Sequence, residues 1–250
     1  MRTITSHISV QGSRPYQEDR VVVSSGEDGL FLGIFDGHGG DEVSEYCYKN
    51  LLKNFNAVAD DPSWPTISDK IRGIFHYLNN DTNSMRAGST ASIVFVPSTL
   101  DRAFVGVLGD SPVIIRNADN EIWVGPEHNV RSNPSEVAKA KERGGTIYGG
   151  YLFARGLSSA GLQMTRVLGD ASFSEVVSRE PEIFEVSLKA GSFVLVASDG
   201  LLDPSHASGT ARDKIVELID KGAAAGDLAK YALSIPTNDN VSAILVKVIA

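Results

Sequence analysis

Three apolar runs end in a carboxylate followed by a turn residue: FLGIF into Asp36-Gly37, FVGVLG into Asp110-Ser111, and FVLVAS into Asp199-Gly200. Two further acidic positions border strand-like runs, Glu18-Asp19 just before Val21 to Val23 and Asp239 just before Val241. An Asp-Gly after a strand is by itself an ordinary turn. The set is more demanding, because strand ends are where side chains converge while the backbone stays rigid. Six carboxylates gathered without partners repel one another, and each costs several kcal/mol to desolvate, so a shared cation is the simplest way to stabilise them. Oxygen-only ligands favour a hard ion, Mg²⁺ or Mn²⁺. The sequence holds neither a HExxH helix nor paired CxxC motifs, which sets zinc aside.

Elements that could position these groups are legible as short apolar, β-branched runs. Val21 to Val23, Leu30 to Phe35, Ala91 to Val96, Ala103 to Leu108, Val113 to Ile115, Phe193 to Ala197 and Val241 to Ile249 read as strands. Several are almost continuously apolar, as expected of strands covered on both faces. Helical spacing is clearest in Ile67, Ile71, Ile74, Phe75 and Leu78, and recurs in Val43, Cys47, Leu51 and Phe55 after Asp41. Two more helices are expected, over Pro134 to Arg143 with Gly144 at its end and over Asp213 to Lys221. This order is α+β rather than a regular βαβ alternation. No linker, repeat or low-complexity tract divides residues 1–250, so one domain is expected. Its least regular stretch is an insert from Glu127 to Gly169, punctuated by Gly144-Gly145, Gly149-Gly150 and Ser158-Ser159-Ala160-Gly161.

The motifs Arg14-Pro15-Tyr16-Gln17-Glu18-Asp19, Phe35-Asp36-Gly37-His38-Gly39-Gly40, Gly88-Ser89-Thr90-Ala91, Gly109-Asp110-Ser111, Thr165-Arg166-Val167-Leu168-Gly169-Asp170, Ala197-Ser198-Asp199-Gly200-Leu201 and Asp239-Asn240-Val241-Ser242 occur in one order along the chain. In this the sequence resembles the PPM/PP2C metal-dependent serine/threonine protein phosphatases from residue 14 to 242. The resemblance implies a sandwich of two antiparallel sheets flanked by helices, and a phosphatase using two Mn²⁺ or Mg²⁺ ions that share a bridging water or hydroxide. It implies that Asp36 bridges both ions, that Glu18 and the Gly37 carbonyl serve one, and that Asp199 and Asp239 serve the other. Asp110 with Asp199 is implied for a weaker third ion, and Asp19 for orienting water beside the metals. Arg14 is expected to bind phosphate with its planar fork, and His38 to protonate the leaving serine or threonine oxygen. Gly88, Ser89 and Thr90 read as the start of a buried strand, and Arg166 with Asp170 equally as a structural pair or a substrate contact. His7, His76, His128 and His206 read as structural or surface residues. The insert matches the family's flap in place; its Tyr148 to Phe153 segment suits either a peptide-contacting surface or packing. Two positions depart from the family pattern: Pro112 follows Gly-Asp-Ser where a basic residue is usual, and Leu202 stands where Trp is usual.

Composition supports a globular chain, with 42% hydrophobic residues, which excludes disorder and collagen-like repetition. The net charge of -8, from 23 Lys plus Arg against 31 Asp plus Glu, argues against nucleic acid and anionic membranes as partners. One cysteine, Cys47, and a start without signal-peptide character lead to the expectation of a cytoplasmic protein, the nucleus included. The expected partner is a phosphoprotein substrate, and a monomer is expected. Two alternatives are a catalytically inactive regulatory module of the same fold, which typically lacks acidic ligands that are all present here, and another two-metal phosphoesterase.

Overall fold

A computed structural model describes residues 1–156, 160–202, 209–235 and 237–250. The expected features at Ser158, Ser159 and His206 lie outside the described residues. Two five-stranded antiparallel sheets face each other. The first runs, in spatial order, Arg2–Val10, Val241–Ile249, Phe193–Ala197, Val113–Arg116 and Ile122–Val124; the second runs Glu182–Ser187, Arg102–Leu108, Ala91–Pro97, Gly29–Phe35 and Arg20–Gly26. The near-continuous apolar sequences of the inner strands follow from burial on both faces. In Gly29–Phe35, Leu32 and Ile34 point between the sheets while Phe31 and Phe35 point outward beneath helices. Phe193–Ala197 splits in the same way, with Val194 and Val196 between the sheets and Phe193, Leu195 and Ala197 outward. Each fully buried side chain of this size contributes about 1.5–3 kcal/mol, which holds the strand ends rigidly in place.

Helices α1 (Glu42–Ala59) and α2 (Ile67–Thr82) cover the second sheet, with Val43, Leu51, Ile71 and Phe75 packed on Phe31, Ile93 and Phe104. A capping box starts α2: the Thr66 hydroxyl accepts from the Asp69 amide and the Asp69 carboxylate accepts from the Thr66 amide. Helix α3 (Pro134–Glu142) belongs to the insert and is capped by Asn133. Helices α4 (Gly209–Asp220) and α5 (Ala225–Ser234) cover the first sheet through Ile215, Ile219, Leu228 and Ala229. The architecture is therefore the helix-flanked sandwich that the resemblance implies.

Several elements, Ile122–Val124 among them, were not expected from the sequence. Arg2–Val10 forms an edge strand paired only to Val241–Ile249 among the described strands, although its sparse apolar residues gave it no strand signature. Glu182–Ser187 is the corresponding edge of the second sheet, and α5 buries mainly alanines, so neither carries a strong apolar pattern. The insert is also more ordered than its glycines suggest. Thr146–Tyr148 pairs with Tyr151–Phe153 across Gly149-Gly150, both at positive φ (58° and 80°), as a two-residue hairpin turn requires. Leu152, Ala140, Val130 and Phe173 form a separate apolar cluster beneath it.

Candidate active site

Asp36 leaves its strand between the two sheets. Its amide donates to the Thr90 hydroxyl at 3.1 Å, and its carbonyl accepts from the Thr90 amide at 2.9 Å and the Ser89 hydroxyl at 3.2 Å. The Thr90 and Ser111 hydroxyls meet at 2.6 Å, so the turn bearing Asp110 is tied to the backbone bearing Asp36. The Ala197 amide donates to the Pro112 carbonyl at 3.0 Å and ties that same turn to the strand feeding Asp199. Leu202 packs on the apolar layer beneath α4 and α5. Three carboxylate-bearing strand ends are thus joined by short polar contacts.

The loop carrying Arg14, Glu18 and Asp19 is held from across the molecule by Asn240. This buried side chain donates to the Gln11 and Tyr16 carbonyls, both at 2.8 Å, and accepts from the Glu18 amide at 2.9 Å. Its role was not visible in the sequence, where Asn240 is only the neighbour of Asp239. Glu18 accepts the Gly40 amide at 2.7 Å, and the Gly37 backbone lies so close to Glu18 that an added Cβ would stand 2.7 Å from the Glu18 carbonyl oxygen. Asp19 accepts the Ser198 hydroxyl at 2.8 Å through one oxygen, while its other oxygen is buried with no hydrogen-bond partner.

The structure brings Arg14, Asp36, Gly37, His38, Asp110, Asp199 and Asp239 to the wall of one cavity of about 200 Å³. Glu18 instead lines a separate groove with Gln17, Gly39, Gly40 and Asp41, and Asp19 is buried where its charge acts on Asp36. Burial, reinforced by the charges of Asp19, Asp199, Asp110 and Asp239, pushes the Asp36 carboxyl well above the usual range. Burial and the charges of Asp110 and Asp239 do the same to Asp199. Asp19 is pushed up to about 6, chiefly by burial, with the Ser242 and Ser198 side chains pulling it down and the charge of Asp239 adding to the rise. Arg14 reaches in from the rim and donates to Asp239 at 2.8 Å. Among the described residues no three His, Cys, Asp or Glu side chains, as placed, already form a metal shell; Asp239 is engaged by Arg14 and Glu18 by the Gly40 amide. The donor set nevertheless fits a hard divalent ion: it is all oxygen, its Asp36 and Asp199 carboxyls are raised in pKa by burial and then by neighbouring carboxylates, and it includes a buried Asp19 oxygen lacking a donor.

His38 lies on the two-residue strand Gly37–His38, and its Nε2 stands 2.6 Å from an Asp170 carboxylate oxygen. This corrects the pairing of Arg166 with Asp170. Arg166 instead donates to Glu136 of the insert at 2.9 and 2.7 Å and to Glu182, on the edge strand of the second sheet, at 2.8 Å. His128, fully buried, accepts the Gly109 amide at 3.1 Å and is structural; burial, followed by the charge of Arg166, lowers its pKa to about 4. The insert contributes Tyr151, Leu162 and Met164 to the cavity wall, and Asn129 donates to Asp110 at 2.6 Å. Strand alternation divides the Tyr148 to Phe153 segment: Leu152 is buried in the insert's own cluster, Tyr151 faces the cavity and Tyr148 is exposed.

The family model for protein phosphatase 2C matches residues 7–241. "Probable protein phosphatase 2C 11" of Arabidopsis thaliana is 30% identical over 256 residues, covering 96% of this chain and 65% of that protein. A sex determining protein of C. elegans superimposes with a TM-score of 0.80 at 27% identity, over 97% of this chain and 64% of that one. The catalytic domain of the serine/threonine phosphatase PstP, in complex with two manganese ions, shares the fold at a TM-score of 0.67 and 19% identity, with 99% of both chains covered. This chain thus spans just under two thirds of the first two. With the ordered acidic strand ends, the helix-flanked sandwich and a family match across nearly all of its residues, the chain belongs to the protein phosphatase 2C family.

Proposed function

We propose that this chain hydrolyses phosphoserine and phosphothreonine monoesters on proteins, using two divalent ions, Mn²⁺ or Mg²⁺. The observation that carries this reading is the half-buried Asp36–Asp199 pair, both carboxyls raised in pKa by desolvation and neighbouring carboxylates, in one cavity with Arg14 and His38. Asp36 would be shared between the ions, with Glu18 and the Gly37 carbonyl on one side and Asp199 and Asp239 on the other. Asp110 with Asp199 would hold a weaker third. The manganese ions in the PstP structure support the same choice. Bound there, such ions supply Lewis acidity, neutralising phosphoryl charge and making water acidic enough to attack at neutral pH.

The chain's own residues do the rest. Arg14, at the cavity rim, offers a planar fork to phosphate oxygens. Asp19, anchored by Ser198, orients water next to the ions. His38, on the cavity wall, delivers the proton that a serine or threonine alkoxide needs in order to leave. Tyr151, Leu162 and Met164 give the insert an apolar wall facing the phosphorylated residue's neighbours. The acidic charge of -8 and the lone, buried Cys47 support a monomeric protein working in the cytoplasm or nucleus on phosphoproteins rather than nucleic acid or membranes.

The test is phosphate release from a phosphothreonine peptide with Mn²⁺, with Mg²⁺ and with EDTA, alongside Asp36→Asn. Metal-dependent release that the variant loses is the expected result. Folded protein that releases no phosphate with either metal refutes the activity.

A further inference from the structure

The Asp170 carboxylate is an unassigned partner of the proton donor, and the chain goes to some trouble to place it. Three two-residue strands lie side by side, Gly37–His38, Gly88–Ser89 and Leu168–Gly169, with His38 opposite Gly88 and Gly88 opposite Gly169. The outer two bring His38 and Asp170 together above the central one. A Cβ built on Gly88 would stand 2.0 Å from the Asp170 Oδ2 and 2.3 Å from the His38 Nε2, so no other residue leaves this contact room. Asp170 itself adopts a left-handed backbone (φ 49°), an uncommon state for a residue with a side chain. Its amide donates to the Ala87 carbonyl at 2.9 Å, which holds that turn. The carboxylate is almost fully buried, while the imidazole remains partly exposed on the cavity wall.

We propose that Asp170 is the positioning residue of His38. It takes the Nε2 proton, fixes the ring's tautomer and orientation, and leaves Nδ1 as the nitrogen that can carry the proton to the leaving oxygen. This inference rests on the reading of His38 as proton donor. The physical logic is that a carboxylate can only accept, so it dictates which ring nitrogen bears the hydrogen. Its charge also balances the imidazolium that precedes proton transfer.

The test uses Asp170→Asn, nearly equal in shape, beside Asp170→Ala, both loaded with Mn²⁺. Turnover of a phosphothreonine peptide should fall about tenfold or more. Turnover of p-nitrophenyl phosphate, whose leaving group departs without a proton, should fall less than about threefold. Added to His38→Ala, Asp170→Ala should cost nothing further with the peptide. Equal losses on both substrates, or full additivity with His38→Ala, overturn the assignment. Nitrogen NMR of imidazole-labelled protein, without substrate, gives a readout independent of turnover. The His38 proton should sit on Nε2 in the wild type and lose that fixed position in Asp170→Ala. In the neutral ring, which carries a single proton, a wild-type proton on Nδ1 instead of Nε2 overturns the proposal even in an active enzyme. Wild-type protein with the Nε2 proton but no phosphate release upholds the Asp170–His38 assignment while refuting the phosphatase reading.

Discussion

Two buried groups of carboxylates in this molecule have opposite electrostatics. In the cavity, Asp36 and Asp199 are pushed well up in pKa because burial and neighbouring carboxylates act in the same direction. In the insert, burial raises Glu136 too, but hydrogen bonds from Arg166, Lys139 and Thr165 outweigh it, and its carboxyl ends well below the usual range. Both regions bury acid. The insert supplies its own cations from Arg166 and Lys139, whereas at the strand ends of the sandwich the neighbouring acids add to the effect of burial on Asp36 and Asp199, and Arg14 pairs with Asp239 at the rim. A carboxylate that the chain itself neutralises is part of the scaffold; carboxylates gathered against their own repulsion mark a site.

The contrast is sharpest when one charge is removed from each side. Asp36→Asn should lower metal-dependent turnover about a thousandfold or more, a loss of several kcal/mol of transition-state stabilisation. In EDTA the same variant should be as stable as the wild type or about 1 kcal/mol more stable, since a repelling charge is gone. Urea unfolding in EDTA checks this, and a clear destabilisation would break the comparison. Arg166→Met should do the reverse, costing about 3 kcal/mol of stability by stripping the buried Glu136 of its bidentate partner and leaving it only Lys139 and Thr165. An unfolding midpoint unchanged from wild type would mean that the insert does not depend on this pair.

The smallest effect is in the pH dependence of the protein held in EDTA. Carboxyls raised in the folded state bind more protons than in the unfolded chain, so their contribution is greatest at low pH and is lost as pH rises through the folded value. For Asp19 that window runs from the usual carboxyl range to about 6. Glu136 acts oppositely, stabilising at neutral pH and losing its contribution as pH falls below the usual carboxyl range. Between pH 5 and 7 the cavity therefore dominates, and stability should decline by on the order of 1 kcal/mol. Urea midpoints at the two pH values measure it. Asp36→Asn should flatten the slope, and a wild-type slope of the opposite sign would count against a proton-binding cavity.

Strand and helix assignments from the sequence succeeded where burial is two-sided or strongly periodic, as in Leu30 to Phe35 and Ile67 to Leu78. They missed Arg2–Val10 and α5, where an edge position and small alanine contacts leave little apolar pattern. The acidic residues of the site were legible for a similar reason: Asp36, Asp110 and Asp199 stand within two residues of the ends of apolar strands, and local sequence dictates where a strand stops. Residue type and chain order alone thus determined the fold class, the acidic set and the family. The partners of those residues were decided only in three dimensions. Asp170 lies 132 residues from His38, Asn240 holds a loop 222 residues away, and Gly88 matters only for the space above it. Hydrogen bonds of this kind depend on distances between distant strands, set by the packing of two sheets, and no local pattern of side chains encodes them.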